Sequence, residues 1–503
     1  MELISVSILV FISILTLLYA YFKYSFGYWK SKNVPYDEPS IPFGNIKNLG
    51  KTIHLTQFAK NAYDKYKPTG AKICGLYVFA RPMALILDLD LVKSILIKDF
   101  SNFYEKGFYY NEEDDPLSAH LFSLDGTKWK TLRAKLSPTF TSGKMKFMFQ
   151  TVVEVGERFR DCLFDVVEQN DELEIKDLLA RFSTDVIGTC AFGIECNSLK
   201  DPNAEFRRYG RIAFGEPRNS FLKSALVGGF QKLAKKLKVK VIRDDVSEFF
   251  MNVVRETVEF REKNNVNRND FMDILIKLKN QETTDKDKVI TLNEVAAQAF
   301  VFYLAGFETS SSTLTFCLYE LAINTEIQNK TRKAVQEAFE RHNGKCTYEM
   351  MMDMPYVDQV LQETLRKYPS IGNLNRKVVH HDYRIPGTQT VLEKGTPILI
   401  PAYAIQRDAE YYPNPEKFDP ERFNSEAAKE RNPMCWLPFG DGPRNCIGLR
   451  FGMMQARIGL LTLLNNFEFS LSSKTPNPLQ FEAKQFILAP VGGVYLKLKP
   501  IKM

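Results

Sequence analysis

The chain has 503 residues, of which 45% are hydrophobic, 25% charged and 38 are Phe, a composition that excludes disorder and allows one large aromatic-rich body or two to three average domains. Lysine and arginine (67) exceed aspartate and glutamate (60) to give +7, too diffuse a balance to imply nucleic-acid binding and better matched to an acidic protein partner or an anionic membrane. Eight cysteines with no Cys-x-x-Cys pair argue against a disulfide scaffold and a zinc ribbon, and place the body in a reducing compartment.

Residues 3–21 form an almost uninterrupted apolar run, and about twenty such residues cross a bilayer as a helix. A membrane anchor over 1–22 is expected; the alternative is a cleavable signal peptide, against which stand the length of the run and the lack of a preceding positive region. Glu2 precedes the run and Lys23, Lys30 and Lys32 follow it, so the positive-inside tendency leaves the body in the cytoplasm. Pro35, Pro39 and Pro42 predict a stiff, extended hinge over 23–44 that holds the anchor off the domain. With no internal repeat and no Gly/Ser linker, 45–503 reads as one catalytic domain.

Between residues 73 and 97, alternating apolar residues interrupted at Arg81-Pro82 predict short strands and then a helix. Trp129-Lys130-Thr131-Leu132-Arg133 follows, within a basic neighbourhood of Lys128, Lys130, Lys135, Lys144 and Lys146 suited to an acidic partner. Beyond residue 140 the periodicity turns helical, at 151–168, 175–192, 246–264 and 270–279, and the polar stretch 280–288 reads as a loop. Lys232, Lys235, Lys236 and Lys238 alternate with apolar residues, as on a helix lying along a membrane. Solvated charge is the plainer reading of both basic regions.

Thr291-Leu292-Asn293-Glu294 is a capping box opening a helix to about residue 322. Its middle, Ala305-Gly306-Phe307-Glu308-Thr309, places a glycine beside an acid and a hydroxyl at a cost of roughly 1 kcal/mol relative to Ala, so a ligand or a neighbouring helix must approach closely there. On the helix expected over 354–368, Glu363 and Arg366 share a face, a spacing that alone fits any surface ion pair.

The segment Phe439-Gly440-Asp441-Gly442-Pro443-Arg444-Asn445-Cys446-Ile447-Gly448 sets one cysteine in a tight Gly/Pro/Arg turn before an apolar helical run at 449–464. Helix-terminal N–H groups aimed at Cys446 would favour the anionic sulfur, Arg444 suits a carboxylate, and Phe439 would shield the sulfur from water. A lone cysteine in a turn is most often just buried, but the pattern Phe-x-x-Gly-x-Arg-x-Cys-x-Gly fixes several positions at once.

This segment resembles the heme-binding signature of the cytochrome P-450 superfamily. The resemblance implies a mainly α fold, a large helical domain with a small β-rich region, plus one N-terminal transmembrane helix. It implies heme b with Cys446 as the axial ligand to iron and Arg444, Trp129, Arg133 and Arg376 at the heme propionates, with Phe439 and Gly448 in the loop. Ala305 and Gly306 then resemble the family's oxygen-activating helix, with Thr309 and Glu308 delivering protons. Phe418-Asp419-Pro420-Glu421-Arg422-Phe423 resembles the element whose arginine completes a structural triad, here Glu363, Arg366 and Arg422. The five histidines show no ligand spacing and no Cys-x-x-Cys-His is present, against a histidine-ligated or covalently attached heme.

No phosphate loop or dinucleotide fingerprint is present, so reducing equivalents must come from another protein. The resemblance is to microsomal, insect detoxification-type members: endoplasmic reticulum, NADPH-cytochrome P-450 reductase as electron donor, cytochrome b5 as a second candidate donor, and one oxygen atom inserted into a lipophilic substrate such as an insecticide, plant toxin, hormone or lipid. Phe103, Phe108, Phe122, Phe300, Phe302 and Ile371 fall where family members contact substrate, and core packing explains each equally well. Two rivals stay open, an oxygen-independent heme-thiolate isomerase or dehydratase and a non-catalytic heme- or lipid-binding membrane protein.

Overall fold

The computed structural model describes residues 2–216, 218–219, 221–268, 270–281 and 289–501. Its centre is the helix Leu292–Ile323, opened by the capping box: Thr291 Oγ1 accepts from Glu294 N at 3.2 Å and Glu294 Oε2 accepts from Thr291 N at 2.7 Å. Most of its residues are buried on all sides, as a core helix requires, and Ile175–Ile187, Asp244–Asn264, Pro355–Lys367 and Leu449–Asn466 pack around it. Helices Ser142–Gln169 and Phe271–Lys279 complete this layer, with Asp270 as N-cap of the latter. The helical stretches expected from periodicity are all present; of the loop expected over 280–288, residues 282–288 lie outside the described residues.

The β structure is small, as expected. Ile73–Val78, Arg81–Ile86, Pro397–Ile400 and Leu374–Lys377 form one four-stranded sheet in that spatial order. Arg81-Pro82 begins the second strand rather than breaking it: pairing with Pro397–Ile400 starts only at Ala84, so no ladder partner on that side needs the N–H that Pro82 lacks. The register Arg376↔Ile398 fixes where Arg376 sits.

Helix Glu2–Ser25 is apolar, with a mean hydropathy of 2.2 over an 18-residue stretch of Ile4–Ser31, largely exposed and long enough to cross a membrane. The hinge departs from expectation. Trp29 is fully buried and donates from Nε1 to Leu76 O at 3.0 Å, and Gly75 N donates to Pro35 O at 2.8 Å. A Cβ on Gly75 would lie 2.3 Å from the Trp29 ring, so the strand is cut to receive that indole. Pro42 lies in a tight turn closed by the Ser40 and Gly44 backbones, which bond each other at 2.9 and 2.7 Å, and burial of Trp29 and Val34 packs the segment against the sheet.

Candidate active site

The loop before helix Leu449–Asn466 is shaped by two left-handed glycines, Gly440 (φ 66°) and Gly442 (φ 71°). Gly442 is doubly constrained, because a Cβ there would stand 1.9 Å from Leu96 O. Asp441 accepts from Gly442 N at 2.6 Å, Cys446 N donates to Phe439 O at 2.8 Å, and Arg133 grips Asn445 twice, at its carbonyl and at Oδ1, both at 2.9 Å. The Cys446 side chain faces a cavity also lined by Phe439, Gly448, Ala305, Gly306 and Thr309. Burial pushes the thiol up from its ordinary value, opposed by the Gly448 N–H, Arg133 and Lys106. The Gly448 N–H is thus one of three groups that favour the thiolate.

Behind the loop lies a polar frame in which Glu363 and Arg366 are fully bonded and Arg422 Nε alone lacks a hydrogen-bond partner. Glu363 and Arg366 are fully buried and joined by two hydrogen bonds, 2.7 and 2.8 Å, and Asp419 N adds a third to Glu363 at 2.9 Å. Arg366 also donates to Gln406 O (2.9 Å) and Pro415 O (2.7 Å). Arg422 completes the triad more loosely, with Nε 3.5 Å from Glu363 and its other donors on Pro413 O and Asn414 O. Gln406 carries the frame to the cysteine loop: its amide donates to Leu365 O and Arg366 O, and its Oε1 accepts from Leu437 N at 2.7 Å.

The cavity's polar wall is unlike this frame. Arg444 is buried, lies over Trp129 with 4.5 Å to the ring centroid, and donates to Tyr104 O, Leu124 O and, at 3.0 Å, to Asp125. Arg376 is 2% exposed with one acceptor, Asn375 O at 2.8 Å, and burial together with Arg444 brings its pKa down to about 9. Nε of both arginines is buried without a partner. Lys106 reaches the same space, 3.6 Å over the Phe122 ring, and burial, Arg444 and Arg376 hold its pKa well below the ordinary range. Lys106, Arg133, Arg376 and Arg444 thus converge where, among the described residues, the carboxylates that offset them are Asp125 and Glu105, and Glu105 is itself paired with Lys377.

The family model described as cytochrome P450 matches residues 35–497. The chain belongs to the cytochrome P450 family. Relatives include "Cytochrome P450 6a9" of Drosophila melanogaster, 50% identical over 94% of this chain and 95% of the relative. "Cytochrome P450 6A1" of Musca domestica is 46% identical over 98% and 97%, and "Cytochrome P450 6a2" of Drosophila melanogaster 48% identical over 99% and 100%. The protein is accordingly a P450 monooxygenase, an oxidoreductase similar to insect P450s, with a heme-thiolate cofactor implied by the family.

The residues fit that cofactor. Orphaned arginine donors and an excess of cations suit two propionate carboxylates, and a Cβ on Gly448 would meet no protein atom within 4 Å, leaving the floor beside Cys446 open. Thr309 lines the cavity and donates to Ala305 O at 2.6 Å. Its neighbour does not: Glu308 is buried off the cavity, paired with Lys176 at 2.8 Å. Gly306 does allow a close approach, and the approaching group is Ile187, whose Cδ1 would lie 2.6 Å from a Cβ there. Of the aromatic positions, Phe108, Phe122, Phe302 and Ile371 line the cavity. Phe103 and Phe300 do not; they pack in the core against Tyr383 (4.7 Å) and Phe250 (5.0 Å). Sequence reasoning missed Lys106 and Phe486, and also Val301 and Thr313, which helical spacing from Ala305 and Thr309 could have found.

Proposed function

We propose that this P450 inserts one atom of dioxygen into lipophilic small molecules, with electrons from NADPH by way of cytochrome P450 reductase and with cytochrome b5 as an accessory donor. The observation that carries the reading is one cavity bounded by Cys446, a cation cluster, a hydroxyl on the central helix and an aromatic wall. In it Cys446 ligates the iron of heme b, Arg133, Arg376, Arg444, Lys106 and Trp129 hold the propionates, and Phe439 and Gly448 keep the sulfur side dry and open. The heme, when bound, supplies the oxygen chemistry.

Thr309 Oγ1 serves as the proton-delivering hydroxyl on the opposite face, and Glu308, held by Lys176 behind the helix, reaches the cavity side only by exchanging that partner. Glu363, Arg366 and Arg422 act as scaffold. Phe108, Phe122, Phe302, Phe486 and Ile371 exclude water and favour apolar, aromatic substrates such as plant toxins, insecticides or lipids. Helix Glu2–Ser25 anchors the protein once in the endoplasmic reticulum membrane with the body in the cytoplasm. Exposed Phe230, Leu233 and Leu237 among the lysines of 232–238 rest on the same surface.

Reconstitution with reductase, NADPH, a lipophilic substrate panel and labelled dioxygen tests this reading. It predicts product carrying one labelled oxygen atom, and in Thr309→Ala continued NADPH consumption with little product. Reductase-independent turnover, or unchanged coupling in Thr309→Ala, contradicts it.

A further inference from the structure

A second cavity, of about 820 Å³, lies where the anchor helix meets the body, bounded among others by Tyr21, Lys23, Tyr24, Phe79, Arg81 and Phe230. Its lining holds two cations, Lys23 and Arg81, and no carboxylate. Arg81 donates to Gly395 O at 2.9 Å, and Lys23 lies 5.8 Å over the Tyr19 ring; among the described residues neither forms an ion pair. Burial lowers the Arg81 pKa, so its charge is partly stripped of water without an acid to compensate it.

The position of the cavity limits what can enter it. Tyr19, Tyr21 and Tyr24 are exposed at the end of the apolar helix, an aromatic belt of the kind that sits at the level of lipid headgroups. The far wall is the hairpin tip between Ile73–Val78 and Arg81–Ile86, where Phe79 adopts φ 54°, a conformation that a bulky side chain takes up only under constraint. A chamber of this size, lined by two cations and several aromatic rings, matches an amphiphile with an anionic head.

We propose that this cavity binds the headgroup of an anionic glycerophospholipid, Lys23 and Arg81 facing a head of net negative charge (its phosphate and, in phosphatidylserine, its carboxylate) and Phe79, Phe230 and Tyr24 packing on the glycerol and first methylenes. This rests on the reading of helix Glu2–Ser25 as a membrane span.

The test uses full-length protein in micelles containing equal phosphatidylserine and phosphatidylcholine, with retained lipid counted by native mass spectrometry. Wild type retains phosphatidylserine preferentially, and Lys23→Gln and Arg81→Gln each lower the ratio about fivefold, the weight of one basic residue at a lipid surface. Lys30→Gln, next to the cavity but not lining it, leaves the ratio unchanged, and millimolar inorganic phosphate does not displace the lipid. Equal retention of both lipids, an equal loss in Lys30→Gln, or displacement by free phosphate overturns the proposal. Lys23 lies on an exposed helical face, so Lys23→Gln decides the matter if Arg81→Gln fails to fold. Flotation with phosphatidylcholine vesicles separates the premises: flotation without lipid selectivity defeats the site and keeps the span, and failure to float defeats both.

Discussion

Arg366 and Arg376 are both nearly inaccessible to solvent, yet their surroundings are opposite. Arg366 spends its donors on Glu363, Gln406 O and Pro415 O, while Arg376 has one carbonyl, an orphaned Nε and a second arginine close enough to depress its pKa. A buried cation whose hydrogen bonds are complete within the chain is scaffold; one left short, among other cations, is built for an anion from outside. The contrast divides the site into a frame behind Cys446 that is bonded within the chain and a cation-rich wall in front of it that is left short of acceptors.

The largest effect expected is from Arg366→Met, which leaves the buried Glu363 carboxylate with only the Asp419 N–H and the looser Arg422 at 3.5 Å. Breaking a buried pair in this way costs about 3–5 kcal/mol, read as a lower denaturant midpoint and poor recovery of folded protein. A midpoint equal to wild type would break the comparison. Arg376→Met should act differently, keeping the fold while accelerating heme loss to a scavenger on the order of 10- to 100-fold, the value of about 1.5–3 kcal/mol for a charge-assisted hydrogen bond. If instead it lowered the unfolding midpoint as much as Arg366→Met, both arginines would be scaffold.

A smaller effect sharpens the same division. His120, bonded to Ser123 on the segment leading to Asp125, has its pKa lowered from 6.5 to about 4 by burial and by the charge of Lys106. Below pH 6.5 the unfolded chain takes a proton that the folded chain refuses, so stability falls as pH drops from 6.5 to about 4. Denaturation at pH 7 and pH ~4.5 should show a smaller acid loss in His120→Gln than in wild type. An identical loss would mean that burial and Lys106 do not hold His120 neutral in the folded chain.

The frame and the cysteine loop were the more legible parts from sequence, because they are local: Glu363 and Arg366 three positions apart and the Gly/Pro turn around Cys446 each declare themselves within a few residues. Trp129, Arg133 and Arg444 could be named because a family pattern surrounds them. Lys106 could not, since its meaning comes from Arg376 and Arg444, which only the sheet and the cysteine loop bring beside it. The same dependence on distant chain left Phe103 and Phe300 open between pocket and core, because their partners Tyr383 and Phe250 are remote in sequence. The proline hinge was read too locally, as Trp29 finds its pocket at Gly75 and Leu76 on the first strand. Glu308 was legible as an acid beside Thr309, but its pairing with Lys176 on a neighbouring helix was not.

The most direct test of the account is the spectrum of the reduced, purified protein under carbon monoxide. A heme held by the Cys446 thiolate predicts the thiolate-type Soret shift in wild type and its disappearance in Cys446→Ser with the fold retained. A wild-type spectrum without that shift, or a Cys446→Ser spectrum that keeps it, would contradict the assignment of Cys446 as the iron ligand.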